Sequence, residues 1–307
     1  MAGVTRRVAF QGELGAYSEE AVRRHWPGDG TEPVPRRNSA DVVRAVEEKA
    51  VDFGLLPIEN SLAGIVVATY DALSASRGTH VVGETILPIH HCLLALPGAT
   101  IEGLTRVASH PVALAQCGRF FERHRSLDVE AAYDTAGAAR DVARGGDPTH
   151  GAIAGRGAAR RFGLDILAED IEDRPDNQTR FLAIGREAVT LAAGVDARTA
   201  ILASTMNVPA ALYHLLDPVA EAGLNLSKLD SRPTGKPWSY SFFLEFEHRS
   251  DDPELPRVLQ AMARRAESFR VLGHFERAPV ESADASPQVA GGAARGFGGA
   301  PVWVDGI

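Results

Sequence analysis

Between residues 8 and 186 the chain alternates short apolar runs with stretches in which apolar residues recur every three or four positions. The runs predict strands over 8–11, 53–58, 81–96, 106–109, 152–154, 166–171 and 181–184. The periodic stretches predict helices over 18–25, 39–49, 111–124, 136–144 and 156–162. The clearest helix start is Asn38, a capping side chain with Asp41 three residues on, followed by the stripe Val42, Val43, Val46 and Ala50. Such alternation argues for an α/β region on largely parallel sheet. The region is too long for one layer, so two lobes facing a cleft are expected, with a ligand beyond the carboxyl ends of the strands.

Residues 187–198 are rich in Ala and Gly and carry little pattern, which reads as a linker. A second unit follows over 199–276, opening with a strand at 199–206. Its first helix has Pro209 in the first turn and a stripe at Leu212, Leu215, Leu216 and Val219, with Gly223 as the stop. Strands at 225–231 and 240–246 come next. A helix opening at Asp252-Pro253 repeats the stripe at Leu255, Val258, Leu259 and Met262, and a strand at 269–275 closes the unit. That order is βαββαβ, the ferredoxin-like arrangement. The tail, 277–307, is rich in Gly, Ala, Ser and Pro and is expected to be disordered, with Val302-Trp303-Val304 as an alternative docked anchor.

Composition narrows the function. The 307 residues are 45% hydrophobic with a formal net charge of −8, and no basic block interrupts the acidic balance, which disfavours nucleic acid as a partner. A substrate anion therefore has to be held by local donors. The first residues lack the apolar core of a secretory signal, and no run approaches the ~18 apolar residues of a membrane span, so a cytoplasmic protein without membrane contact is expected. Cys92 and Cys117 have no metal or redox spacing and read as buried thiols. His90 and His91 are adjacent in a predicted strand and face opposite ways, so no shared metal is expected.

Candidate chemistry gathers at the turns: 12–18, 57–61, 109–111, 134–137 and 177–181. Most follow a strand and open a helix, offering free backbone N–H groups and small polar side chains suited to a carboxylate. Singly, each has a plainer reading. Ser18, Asn60, Ser61 and Thr135 could be helix caps, Glu59 could pair with a surface arginine, and Gln116 could be a solvated helix residue. Thr179 could be a β-branched residue in its favoured place.

Together the segments PIENSLAG (57–64), SHPVALAQC (109–117), DTAGAA (134–139), NQTRFLAIG (177–185) and NLSKLDSRP (225–233) resemble the prephenate dehydratase family, and the resemblance runs over about 8–275. It implies a two-lobed catalytic region over 5–186, like type II periplasmic binding proteins, followed by an ACT domain that binds phenylalanine. It also implies a homodimer or homotetramer. The reaction implied is loss of carbon dioxide and a ring hydroxyl from prephenate, giving phenylpyruvate, with arogenate as the alternative substrate; neither metal nor organic cofactor is implied.

By that resemblance Thr179 is the catalytic candidate, a preorganised donor to the departing hydroxyl. Gly15, Ala16, Tyr17, Ser18, Glu59, Asn60, Ser61, Thr135, Ala136, Asn177, Arg180 and Phe181 are the substrate-binding candidates. On a regular strand Arg180 should point away from Thr179, making one of the two structural. Glu59 is placed at the rim, since an ionised carboxylate would repel a dianion. The effector candidates are Ala211, Leu212, Asn225, Leu226, Asp230, Ser231, Arg232 and Pro233. Three departures matter: Ala16 stands where bacterial relatives commonly have Thr, Ala210 where the effector site has Gly, and Asp230 where it has Glu. The rival classes are a solute-binding protein, which shares the cleft, and a non-catalytic amino-acid sensor.

Overall fold

The computed structural model describes residues 5–235 and 237–279. From residue 280 the tail, with Val302-Trp303-Val304, lies outside the described residues. The first lobe runs β1 (Arg6–Gln11), α1 (Tyr17–His25), β2 (Thr31–Arg36), α2 (Ser39–Glu47), β3 (Phe53–Asn60), β4 (Gly64–Ile65), α3 (Val67–Ala75) and β5 (His80–Pro88). The second begins with β6 (Cys92–Ala95), β7 (Arg106–Ser109), α4 (Pro111–Ala115), α5 (Gly118–Arg123) and β8 (Asp128–Ala131). It ends with α6 (Thr135–Gly145), β9 (His150–Ala154), α7 (Arg156–Phe162) and β10 (Asp165–Ala168). The chain returns to the first lobe as β11 (Gln178–Gly185). A third unit follows as β12 (Asp196–Ser204), α8 (Ala211–Glu221), β13 (Asn225–Pro233), β14 (Tyr240–Arg249), α9 (Leu255–Arg265) and β15 (Ser268–Glu276).

The first sheet is ordered β2-β1-β3-β11-β5, with β4 on β3; the second is β10-β6-β9-β7-β8. Both are mixed rather than largely parallel. β11 enters from the side to which β5 leaves, so it runs antiparallel to β5 and β3. The predicted strand over 81–96 is two strands in different lobes, split by residues 89–91, which cross between them. An apolar run carries no sign of which sheet each half joins.

The predicted helix over 111–124 breaks at Gln116 and Cys117. β2 went unpredicted because Pro33 and Pro35 argue against a strand; as an edge strand it tolerates them. Asn38 does cap α2, accepting from the Asp41 N–H at 2.8 Å. The third unit has the βαββαβ order and an antiparallel sheet, β13-β14-β12-β15. β12 starts at Asp196, inside the stretch read as linker, and Pro209 lies ahead of α8 rather than in its first turn. Ala210 holds a left-handed φ of 60° there.

Two apolar clusters flank the first sheet. One, under α1, gathers Val8, Phe10, Ala21, Val22, Leu55 and Phe181. The other joins Tyr70, Leu73, Leu182 and Ile184 of the first lobe to Ala200, Phe243, Leu272 and Phe275 of the third unit. Burying each large apolar side chain is worth roughly 1.5–3 kcal/mol, so the third unit is fastened by the same force that holds the lobe. β15 approaches β5 so closely that a Cβ on Gly273 would strike the Val81 carbonyl oxygen. No helix among the described residues is long and apolar enough to cross a membrane.

Candidate active site

The register of β11 on β3 sets Thr179 opposite Asn60 and Arg180 opposite Glu59. Successive side chains on a strand point to opposite faces, so the two pairs serve different neighbours. Asn60 Nδ2 lies 3.0 Å from Thr179 Oγ1, 2.8 Å from Asn177 Oδ1 and 3.1 Å from the Gln178 carbonyl. Its Oδ1 accepts from the N–H groups of Leu62 and Ala63, at 3.1 and 2.8 Å. Thr179 Oγ1 is thereby an acceptor from Asn60 and keeps its own proton to donate.

Further contacts lead from Asn177 to the second lobe. Asn177 Nδ2 donates to Gln116 Oε1 at 3.0 Å, and His91 Nε2 meets the same oxygen at 3.0 Å. His91 Nδ1 lies 2.8 Å from the Tyr17 hydroxyl, which is also 2.8 Å from the His90 carbonyl. Burial pushes the Tyr17 hydroxyl well above its ordinary pKa and the His91 imidazole below its own.

The other candidates fall into place around this junction. Gly15, at φ 93°, donates its N–H to Glu19 and packs where a Cβ would lie 3.0 Å from Ala158 Cα in α7. Ala16 is buried among Cys92, Ala136, Ala154 and Ala158 of the second lobe. It is also the residue capping α1, which leaves Ser18 one step inside the helix. Ser61 does not open a helix: its hydroxyl donates to the Asp176 carbonyl and accepts from the Gln178 N–H, tying the turn after β3 to the start of β11. Asp134 caps α6 through the Gly137 N–H, so Thr135 is the first helical residue. Ala136 is fully buried and presents no surface.

Three readings need correction. Arg180 faces the third unit, where its Nε reaches Glu84 at 2.5 Å and its two Nη atoms reach the Glu245 carboxylate at 2.7 and 2.9 Å. Both acids have fully buried side chains, so the guanidinium is committed to them and free for no substrate. Phe181 is a core residue under α1. Glu59 is neutralised from the same third unit: Lys228 Nζ lies 2.7 Å from it and 3.1 Å from Asp230.

The effector candidates also divide. Leu212 and Leu226 belong to the core beneath α8 and α9, and Asn225 donates to Glu247. Ser231 and Pro233 are exposed. Asp230 and Arg232 instead face α3, Asp230 accepting from the Tyr70 hydroxyl at 2.7 Å and Arg232 lying 3.6 Å from Asp71. The eight residues therefore do not share one side of the sheet.

A cavity of about 390 Å³ lies between the lobes at the carboxyl ends of β1 and β2, lined by Gln11, Glu13, Arg36, Arg37, Tyr133 and Asp134 among others. Thr179 does not line it. Arg36 and Arg37 are cations the sequence reading passed over; their place at the end of a strand was the available signal, had β2 been recognised. His91, Glu84, Glu245, Tyr70 and Lys228 were also missed, and Gln116 stood only within the SHPVALAQC motif, with a solvated helix residue as its plainer reading. His90, Asp170 and Glu172 have the make-up of a metal-ligand group, but here His90 pairs with Glu172 at 2.8 Å and Arg156 with Asp170 at 3.3 Å.

Two mixed-sheet lobes with a cavity between them, and the Thr179 hydroxyl held by the Asn60 amide where they join, have the form of a small-molecule cleft protein. The description of the prephenate dehydratase family matches residues 8–189, and the chain belongs to that family. An arogenate dehydratase/prephenate dehydratase of Arabidopsis thaliana is 39% identical over 286 residues, covering 90% of this chain and 73% of its own. A solved structure described as a novel type of quorum-quenching acylase is 35% identical, with a TM-score of 0.82 over 89% of this chain and 99% of its own. A prephenate dehydratase from Arthrobacter aurescens in complex with L-Phe is 30% identical. It also has a TM-score of 0.82, over 88% of this chain and 90% of its own.

Proposed function

We propose that the chain is a lyase that converts prephenate to phenylpyruvate, carbon dioxide and water, with Thr179 as donor to the leaving hydroxyl. The pair of electrons in the ring-to-carboxylate bond moves into the ring, the ring C–O bond breaks, and one proton completes the water. The observation that carries this reading is the Asn60 contact, which occupies Thr179 Oγ1 as an acceptor and leaves its proton available. A preorganised donor of this kind acts on charge that develops only as the C–O bond breaks. Arg36 and Arg37 are suited to the substrate carboxylates through the cavity they line.

Arogenate is the second substrate reading, favoured by the double name of the Arabidopsis relative. Ala16 loses its place as the discriminating position, because its methyl packs into the second lobe's apolar cluster. The third unit is read as an ACT domain that takes phenylalanine, on its βαββαβ order and the L-Phe complex of the Arthrobacter relative. The open edge of β13 suits pairing between copies in a dimer or tetramer.

Turnover of prephenate and arogenate at matched concentrations, following phenylpyruvate and phenylalanine, tests the assignment. Faster prephenate turnover is the expected result; faster arogenate turnover moves the chain to the second reading, and turnover of neither rejects both.

A further inference from the structure

The turn after β1 reaches across to the second lobe through one side chain. Glu13 Oε1 accepts from the Tyr133 hydroxyl at 3.0 Å and from Arg140 Nη1 at 2.8 Å. Tyr133 stands in the turn before α6 and Arg140 on that helix, whereas Glu13 belongs to the turn between β1 and α1. Both donors are aimed from within their own lobe. The Tyr133 ring lies over Gly137, where a Cβ would come within 2.4 Å of it, so glycine lets the ring rest there. Asp141 accepts from Arg140 Nε and Nη2 at 3.1 and 2.9 Å, and the guanidinium lies 5.9 Å from the centre of the Tyr133 ring. Burial and the bond to Glu13 push the Tyr133 phenol up to about 12, which keeps it a donor at neutral pH.

Glu13 and Tyr133 line the cavity between the lobes together with Arg36, Arg37 and Asp134, so their contact closes one wall of it. The Glu13 side chain is 36% exposed and Tyr133 60%, so the contact opens with each group returning to water. Exposed pairs of this kind shift an equilibrium only a few-fold, which suits a closure that must reverse at every turnover. Charge alone predicts the opposite of a latch. A carboxylate beside a cavity for a dianion repels it, so removing Glu13 would tighten binding. Removing a latch loosens binding. The sign of the change separates the two roles.

We propose that Glu13 is a positioning residue that latches the lobes over the cavity, with Tyr133 and Arg140 as its catch. The latch favours the closed arrangement that holds the substrate and leaves the chemical step to other residues. The proposal rests on the reading of that cavity as the place of the substrate carboxylates.

The test is prephenate kinetics of the full chain carrying Glu13→Ala, Tyr133→Phe or both. Hydrogen exchange of the free protein is followed by mass spectrometry over residues 11–18 and 132–140. Glu13→Ala raises KM roughly three- to tenfold while kcat stays within about twofold, the mark of binding shared by ground and transition states. Tyr133→Phe changes no charge and raises KM about twofold or more. Added to Glu13→Ala it has no further effect, because the phenol has already lost its partner. Each single variant speeds exchange in both segments, although they lie in different lobes. An unchanged or lowered KM in Glu13→Ala overturns the proposal, and a lowered one leaves the carboxylate as a plain charge. Faster exchange confined to the segment that carries the substitution overturns it as well. If the parent turns over neither prephenate nor arogenate, the substrate reading falls, and the exchange measurement alone decides the latch.

Discussion

Thr179 and Arg180 are consecutive on β11, yet one is held by Asn60 at the junction of the lobes and the other by Glu84 and Glu245 against the third unit. Strand alternation alone turns a three-residue motif into two separate devices. The same division runs through the partner strand, where Asn60 faces the junction and Glu59 faces Lys228. The contacts at the junction of the lobes and those with the third unit thus lie one residue apart on both strands.

Thr179→Ala is expected to lower kcat by roughly ten- to a thousandfold with the fold intact, as befits loss of a transition-state donor. Thr179→Ser, which keeps the hydroxyl, retains more of the activity. Steady-state kinetics beside a far-ultraviolet spectrum decides this; near-parental kcat in the alanine variant removes Thr179 from the mechanism.

Arg180→Ala leaves Glu245 buried without its bidentate partner, while Glu84 retains Arg198 at 2.9 Å. Breaking a buried pair on one side costs about 3–5 kcal/mol, to be read as a shift in the urea midpoint. Arg180→Lys recovers only part of it, because an ammonium cannot bridge both oxygens and reach Glu84 as well. An unfolding curve that matches the parent would show that the pair contributes nothing net.

Ala210→Gly is expected to raise stability by up to about 1 kcal/mol, since an L-residue at a φ of 60° carries a steric cost that glycine lacks. Thermal unfolding measures it. A lowered melting temperature would mean that glycine's extra freedom in the unfolded chain outweighs the relief.

His25, His91 and His274 each have a pKa lowered chiefly by burial. Each stays neutral in the folded chain where the unfolded chain takes up a proton. Stability is therefore full above the ordinary histidine value of about 6.5 and declines as the pH falls below it toward the lowered values. The melting temperature should drop on acidification through that window. His274→Asn, which removes one of the three while offering an amide to Thr199, should make the drop shallower. A melting temperature independent of pH over that window would contradict the assignment.

The fold was legible where pattern is local. The Asn38 cap, the stripe of α2 and the βαββαβ order of the third unit each depend on spacing within a few residues. The crossing at residues 89–91 was not, because β5 and β6 read as one apolar run and only tertiary structure assigns them to different sheets. The candidate site divides in the same way. Thr179 and Asn60 stood out through their motifs, and alternation already set Arg180 apart from Thr179. The partners of Arg180 lie 96 and 65 residues away in the chain, with no local mark to join them. Gln116 looked like a solvated helix residue because the helix end at that residue was not foreseen.

The apolar cluster shared by the first lobe and the third unit has a practical consequence for exchange of parts. A chain ending before β12 would bare Leu182, Ile184 and Tyr70 to water and leave Arg180 with Glu84 but without Glu245, which lies in β14. Transplanting the third unit from a relative would succeed only if the matching face of α3, β5 and β11 travelled with it. The third unit is not an accessory hung on a finished enzyme but one wall of it.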